Sequence, residues 1–362
     1  MRPLFFLYLL LLSLLSCKAP KGEYVCPPCD LDCDSLSFNE PGICPHCHMP
    51  LLKKSDLLLD SNLIVNDVNL KTGSGVFLIE GAAHRKEKTI KVYYHKPEVF
   101  SSETNILMVI SGAGRNADSY RDAWIEASER YNVLILSPMF EEEAYPFEDY
   151  HLCGLIKGLN IEESISFSET SNQVTLNEEA LTYSINKNSE EWLFQDFNRI
   201  FDLVIQALGT SKSTYDLFGH SAGGQILHRL ALFSNNTKAD RIIAANSGFY
   251  TLPDFEMQLP FGLKSTTINQ EDLKSAFSKE LVLLIGELDN EKENGGTLLR
   301  STTVDKQGTH RLARGEYFHT FSKEKAKELN TPFNWEIAII PNVGHEHKLM
   351  GKAAARILYG MD

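Results

Sequence analysis

Apolar residues follow two alternating patterns along most of the chain. Short continuous apolar runs are typical of strands covered on both faces, and they alternate with segments whose apolar residues recur at helical spacing. The clearest helical segment is 190–208, where Phe197, Ile200 and Val204 share one face. This alternation predicts an α/β domain with a mostly parallel central sheet. The predicted buried strands are 105–111, 133–139, 215–218, 241–245 and 281–285, and a last strand is predicted at 335–340; an edge hairpin is predicted at 76–80 and 89–94, and helices up to Tyr131, at 190–208, after Gly224, at 309–330 and up to about Leu358.

Residues 141–189 interrupt this alternation with a long, acidic and weakly periodic insert. A segment of this length without clear secondary structure is unusual inside a compact domain unless it has a function. We predict a lid-like insert within a domain of residues 73–362. Its apolar residues are expected either to face a substrate or, more simply, to pack on the domain: Tyr145, Phe147, Tyr150, Leu152 and Leu155.

The first residues have the pattern of an export signal. Arg2 precedes an apolar run at 4–15, which is short for a membrane span but typical of a signal-peptide core. The run ends in Leu14-Leu15-Ser16-Cys17, which resembles the lipobox of bacterial lipoproteins. The resemblance implies a signal peptide at 1–16, a lipid on Cys17 that anchors the protein to a membrane, a tether at 17–23 and a location in the bacterial cell envelope, at the outer membrane or the periplasmic face. The alternative is an ordinary cleaved signal with an incidental cysteine.

Six of the seven cysteines lie before residue 50, and four of them form two Cys-x-x-Cys pairs. Two such pairs can place four thiolates around one metal ion, and residues 24–52 are too few to bury a core without one. The predicted ligands are Cys26, Cys29, Cys44 and Cys47, with Cys33, His46 and His48 as spare donors. Disulfides are the alternative in an exported protein.

The segment 24–52 resembles the short heavy-metal-binding domain of some metal-efflux adaptor proteins. The resemblance is carried by Cys-Pro near Tyr24 and by Pro-Gly-x-Cys-Pro-x-Cys-x-Met-x-Leu at 41–51. Cys29 stands where that family usually has His, and His48 stands where it usually has Gly. The resemblance implies bound zinc or another soft metal.

Composition narrows the remaining function classes. A chain of 362 residues with 43% hydrophobic residues can build a sizeable core. Its formal net charge is −13 and it has no basic stripe, which argues against nucleic acid as the partner.

A candidate nucleophile lies where the apolar run ending at Phe218 meets a helical segment. A serine in a sharp strand-to-helix turn presents its Oγ at the end of a sheet, and flanking glycines avoid collisions with the neighbouring strand and helix. The alternative is a glycine-rich turn into a helix. The residues of this turn are Gly219-His220-Ser221-Ala222-Gly223.

The rest of the chain supplies partners for Ser221 in the order serine, acid, histidine. Asp289 follows the predicted strand 281–285, with Glu287 as the reserve acid, and His345 follows the last strand. A glycine-rich loop follows the strand 105–111, and an oxyanion hole takes one N–H from such a loop. Its predicted donors are Ala222 together with Ala113 or Gly114.

Ser111 directly precedes the loop at 112–120. It holds the place where many members of the superfamily that this loop resembles, named below, have His. Arg115 is predicted to be exposed, with contact to an anionic substrate as the alternative. Gly112 through Tyr120 resembles the poly(hydroxyalkanoate) depolymerase and feruloyl-esterase-like branch of the α/β-hydrolase superfamily.

Residues 73–362 as a whole resemble that superfamily. The resemblance implies an α/β-hydrolase fold and an exported serine hydrolase that cleaves a small-molecule ester through an acyl-enzyme, with no cofactor for catalysis. Two alternatives remain: a peptidase or amidase with the same residues, and a metal-handling envelope lipoprotein whose hydrolase domain is a non-catalytic scaffold.

Overall fold

The structure is a computed structural model that describes Gly22, Tyr24–Val25, and residues 36–45, 51–53 and 64–360. The chain forms two compact units, residues 1–63 and 64–362. The predicted signal peptide and Cys17, the predicted lipidation site, lie outside the described residues. No helix among the described residues is long and apolar enough to cross a membrane.

The first unit contains a small antiparallel sheet of three two-residue strands. The middle strand, β1 (Tyr24–Val25), pairs with β2 (Ser37–Phe38) on one side and with β3 (Leu52–Lys53) on the other. The amide N–H of Leu51 donates to the carbonyl of Gly42 at 2.8 Å, and Cys44 is buried. Cys26, Cys29 and Cys47 lie outside the described residues, so the metal site stays a prediction.

The second unit is built on an eight-stranded sheet with the order β16-β14-β13-β12-β6-β7-β5-β4. The strands from β7 to β16 in this order run parallel, and the hairpin of β4 and β5 adds an antiparallel edge. The predicted edge hairpin, the buried strands and the last strand are therefore confirmed, and the last strand, β16, forms the other edge of the sheet with half-buried and exposed residues. The strands are β4 (Gly73–Glu80), β5 (Thr89–Lys96), β6 (Asn105–Ile110), β7 (Val133–Met139), β12 (Tyr215–His220), β13 (Ala239–Ala245), β14 (Glu280–Gly286) and β16 (Glu336–Ile340).

Helices cover both faces of this sheet, which explains the continuous apolar runs of its strands. In β6, Ile106, Met108 and Ile110 face one core cluster, whereas Leu107 and Val109 face the other. Each face therefore needs an apolar side chain at every second position. The helices are α1 (Ala117–Ala123), α2 (Ile125–Tyr131), α3 (Phe147–Tyr150), α4 (Ile161–Ser164), α5 (Phe194–Leu208), α6 (Ala222–Phe233), α7 (Gln270–Phe277), α8 (Arg311–Glu328) and α9 (His347–Tyr359).

Two details of the helix predictions are wrong. The helix predicted up to Tyr131 is two helices that meet at Trp124, whose N–H bonds to Arg121 and whose indole packs 5.1 Å from the ring of Phe218. In α9, the apolar residues of the sequence predict that Ile357 faces inward with Met350, Ala354 and Leu358, but Ile357 is 45% exposed and the buried stripe runs through the other three.

The insert contains short elements that its weak periodicity does not predict. Between α3 and α5 it forms β8 (Ile156–Lys157), α4, β9 (Ile165–Phe167), β10 (Gln173–Leu176) and β11 (Ser184–Ile185). β10 pairs with β9 and, in parallel, with β15 (Leu298–Arg300), a strand from the segment that follows β14. The insert is thus tied into the second unit by a separate three-stranded sheet.

Candidate active site

Ser221 lies in the turn between β12 and α6 with a strained backbone. Its φ is 59° and its ψ is −116°, values that a residue with a side chain rarely adopts. Its amide N–H donates to the carbonyl of Ala245 at 2.9 Å, which ties the turn to the end of β13. Strain of this kind costs about 1–3 kcal/mol and collects at functional sites.

The glycines around Ser221 are required by close backbone contacts. A Cβ on Gly219 would lie 2.4 Å from the carbonyl oxygen of Gly223, and one on Gly223 would lie 2.3 Å from the carbonyl oxygen of Ile110. A Cβ on Gly224 would lie 2.5 Å from the carbonyl oxygen of Ala245. Helix α6 therefore approaches the sheet more closely than it could if any of these three positions held a residue larger than glycine.

His345 and Asp289 are hydrogen-bonded, although they lie on separate loops after β16 and β14. The Nδ1 of His345 lies 2.7 Å from Oδ2 of Asp289. The other carboxylate oxygen, Oδ1, accepts from Nη1 of Arg311 at 3.0 Å, and both Asp289 and Arg311 are buried. A buried carboxylate held this way fixes the orientation of the imidazole and leaves Nε2 to face another group.

The reserve acid Glu287 has a different place. Its Oε2 accepts from the N–H of Asn342, so Glu287 braces the loop that carries His345, and the described residues show no hydrogen bond or ion pair between Glu287 and His345. Glu293 accepts from the N–H of His345 at 2.7 Å. Asn246 donates to the carbonyl of Gly344 and accepts from the N–H of Gly286. Three side chains thus hold the loops that carry the two predicted catalytic partners.

Ser221 and His345 line the same cavity, which has a volume of about 990 Å³. Asp289 lies behind His345, on the side of Nδ1. The loop with Gly112 passes directly over the serine, since a Cβ on Gly112 would lie 3.4 Å from Cβ of Ser221. The structure therefore brings the three predicted catalytic residues to one place.

The predicted oxyanion donors also line this cavity: Ala113, Gly114 and Ala222. Ala222 is the first residue of α6, where the N–H groups have no acceptor within the helix. Among the residues that the structure describes, no acceptor takes the N–H of Ala113 or Gly114. These donors are available to an oxygen in the cavity.

Three further histidines line the cavity, and burial keeps each of them neutral. Burial lowers the pKa of His347 to about 4 and that of His151 to about 3. Burial, followed by repulsion from His345, lowers the pKa of His220 well below its ordinary value. The ring of His220 lies 4.5 Å from that of His345, and its Nδ1 pairs with the hydroxyl of Tyr120 at 3.2 Å. A neutral ring here does not oppose a positive charge on His345.

The insert forms one wall of the cavity. Of its five candidate residues only Phe147 lines the cavity, whereas Tyr145, Tyr150, Leu152 and Leu155 are buried in the core, as the packing alternative predicts. The rest of the insert wall includes Leu159, Ile161, Ile165, Phe167 and Val174.

Arg115 was predicted to be exposed or, as the alternative, to contact an anionic substrate. Both predictions are wrong, because Arg115 is buried and does not line the cavity. Its guanidinium is buried, donates to the carbonyls of Phe140 at 2.8 Å and Tyr145 at 2.5 Å, and lies over the ring of Tyr150. Ser111 is also buried, and its Oγ pairs with the hydroxyl of Tyr150 at 3.1 Å. Both residues brace the loop that carries Ala113.

Sequence reasoning missed two residues of the site. Gln225 lines the cavity one helical turn after Ser221. Residues four positions apart share one face of a helix, so the spacing from Ser221 is a signal in the sequence that could have identified Gln225. Arg311 had no such signal, because its partner Asp289 is distant in sequence and only the packing of α8 against the sheet brings them together.

Comparison with known structures agrees with the fold. Poly(aspartic acid) hydrolase-1 from Sphingomonas sp. KT-1 is 34% identical, with a TM-score of 0.69 over 80% of this chain and 100% of that chain. The chain belongs to the α/β-hydrolase superfamily. This hydrolase also shares its fold with LpqC, a poly(3-hydroxybutyrate) depolymerase from Bordetella parapertussis, at 24% identity and a TM-score of 0.67 over 80% of this chain and 90% of that chain. No protein-family model and no curated protein matches it.

Proposed function

We propose that the hydrolase cleaves carboxylic esters through an acyl-enzyme on Ser221. The observation that carries the proposal is the 2.7 Å hydrogen bond from His345 to the buried Asp289, with His345 and the strained Ser221 on the wall of one cavity. A serine hydroxyl is a weak nucleophile unless a base takes its proton, and an oriented imidazole is the usual base.

In the acylation step, Nε2 of His345 takes the proton of Ser221 as Oγ attacks the substrate carbonyl carbon. The negative charge moves to the carbonyl oxygen, where the N–H of Ala222 and that of Ala113 or Gly114 bind it; losing one such donor typically costs about 2.7–4 kcal/mol. Asp289 stabilises the imidazolium. The imidazolium then returns its proton to the leaving alcohol as the carbon–oxygen bond breaks.

In the deacylation step, His345 takes a proton from water, and the resulting hydroxide attacks the acyl carbon. The oxyanion forms in the same place, and its collapse breaks the bond to Oγ of Ser221. The proton on His345 returns to Oγ, which releases the acid and restores the enzyme.

Amide hydrolysis is the second candidate, because the 34% identical relative is named a poly(aspartic acid) hydrolase, and poly(aspartic acid) is a polyamide. The same residues serve both reactions, but an amine leaves only after protonation by His345. Hydrolysis of a p-nitrophenyl ester and of the p-nitroanilide of the same acid, by the wild type and by Ser221→Ala, separates the candidates. Turnover of the ester alone supports the proposal, turnover of both supports the amidase, and Ser221-independent turnover contradicts both.

We further propose that the protein is exported and anchored to a membrane of the cell envelope through a lipid on Cys17, and that its first unit binds zinc or another soft metal. The support is the lipobox-like Leu14-Leu15-Ser16-Cys17 and the two Cys-x-x-Cys pairs. In the first unit, β1 ends directly before Cys26 and the buried Cys44 lies between β2 and β3. The sheet thus brings the chain segments next to both pairs together.

A further inference from the structure

Four glutamates line the catalytic cavity on the side of the insert: Glu142, Glu148, Glu162 and Glu163. Among the described residues, none of them has an ion-pair partner within 4.0 Å, although other acidic residues of the insert do. Unpaired carboxylates on one wall of a cavity produce a negative potential that selects ligands by charge.

The cavity wall offers little positive charge to balance these carboxylates. No lysine or arginine is among the described residues that line it. Arg311 lies behind the wall and is paired with Asp289. Arg115 and Arg229 are buried behind it and donate to main-chain carbonyls, so they set two positive charges against the four negative charges of the glutamates, and the neutral histidines add none.

Gln225 adds a polar but uncharged side chain to the cavity wall beside Ser221. Gln225 is 8% exposed, lines the cavity, and has an Oε1 without a hydrogen-bond partner among the described residues. Its backbone N–H bonds to the carbonyl of Ser221, so its position relative to the serine is fixed by the helix. The Oε1 atom is buried and does not face the cavity, so the charge of the wall comes from the four glutamates and not from Gln225.

We propose that the preferred substrates carry a positive charge, as an ammonium or guanidinium group that the insert glutamates face, and that anionic substrates are disfavoured. This inference rests on the proposed function. It separates this hydrolase from its relative that is named for a polyanion, since a poly(aspartic acid) chain would bring its carboxylates against this wall.

The test compares p-nitrophenyl esters of three acids that share a five-methylene chain and end in a trimethylammonium, tert-butyl or carboxylate group. The first two ends have the same shape, so their ratio of kcat/KM reports charge alone. We expect the order cationic, neutral, anionic, and a cation preference that falls as sodium chloride screens the carboxylates. Each carboxylate removed should lower the cationic-to-neutral ratio about two- to five-fold.

The variant pair Glu162→Gln/Glu163→Gln removes two cavity carboxylates. Its control, Glu143→Gln/Glu179→Gln, makes the same change in net charge at exposed insert positions off the cavity and should keep the wild-type ratio. Equal kcat/KM for the three esters, a preference for the carboxylate, or an equal effect of both variant pairs overturns the charge inference while the proposed function stands. Failure to hydrolyse all three esters overturns both.

Discussion

Single residues decide whether the site is preorganised. Asp289 has both carboxylate oxygens engaged, one by His345 and one by Arg311, whereas Glu287, two residues earlier, points to the N–H of Asn342. The predicted acid and its reserve therefore have separate roles. Asp289 orients His345, the proposed base, and Glu287 braces the loop on which His345 lies.

This difference predicts unequal effects of two isosteric substitutions. Asp289→Asn should lower kcat by about 10³- to 10⁴-fold, because an amide favours the wrong tautomer of His345 and cannot stabilise its positive charge. Glu287→Gln keeps an oxygen that can accept from Asn342 and should keep a near wild-type kcat. Steady-state ester hydrolysis measures both. The reverse order would identify Glu287 as the catalytic acid.

Gly296 fits closely against the imidazole of His345, the proposed base. A Cβ there would lie 2.8 Å from Nε2 of His345, and its φ is +60°. Gly296→Ala should displace the ring and lower kcat on the order of 10²-fold. Gly209→Ala is the matched control, because Gly209 has nearly the same φ, +63°, and no atom within 4 Å of a Cβ. Both variants place an alanine at nearly the same positive φ, so equal kcat values for the two would contradict the assignment of His345 as the base.

At the scale of elements, the insert and the segment after Asp289 behave as one piece. β10 pairs with β15, Asn172 donates to the carbonyl of Gly296 at 2.8 Å, and Glu178 accepts from both N and Oγ1 of Thr303. Burial raises the pKa of Glu178, but hydrogen bonds from Ser301 and Thr303 outweigh it and hold the pKa below its ordinary value. The insert is thus fastened by an ionised side chain.

Glu178→Gln should therefore loosen the cavity wall. An amide accepts at one atom only, so at least one charge-assisted bond is lost and the local opening free energy should fall by about 1–2 kcal/mol. Hydrogen exchange should become faster at 165–176 and at 298–303, with a higher KM. Glu179→Gln, at the exposed neighbouring position, is the control. Unchanged exchange in Glu178→Gln would show that the strand pairing alone holds the insert.

The sequence predicts the parts of this molecule that depend on local pattern. The sheet strands follow from their apolar runs, and Ser221, Asp289 and His345 follow from their places at strand ends. It does not predict β15 or its pairing with β10, because a strand of three residues is too short to show a repeating pattern of apolar and polar positions. It also does not predict the partner of Asp289 or the burial of Arg115, since both depend on tertiary packing of segments that are distant in the chain.

At the scale of the whole molecule, the first unit should contain about one metal ion in the reduced protein. Elemental analysis of the wild type should find it, and Cys26→Ser/Cys29→Ser should lose it, because two of the four predicted thiolates are gone. Cys153→Ser is the control, since Cys153 is buried in the second unit and burial raises its thiol pKa to about 12. Absence of metal together with oxidised cysteines would favour the disulfide alternative.

The central claim is that Ser221 is a nucleophile activated by His345, and a fluorophosphonate probe tests it most directly because it reacts covalently with such serines. The full chain is labelled, digested and analysed by mass spectrometry, alongside Ser221→Ala and Ser247→Ala, a buried serine just after β13. We predict one adduct on the peptide with Ser221, retained in Ser247→Ala and lost in Ser221→Ala. An unlabelled wild type, or an adduct that persists in Ser221→Ala, would contradict the account.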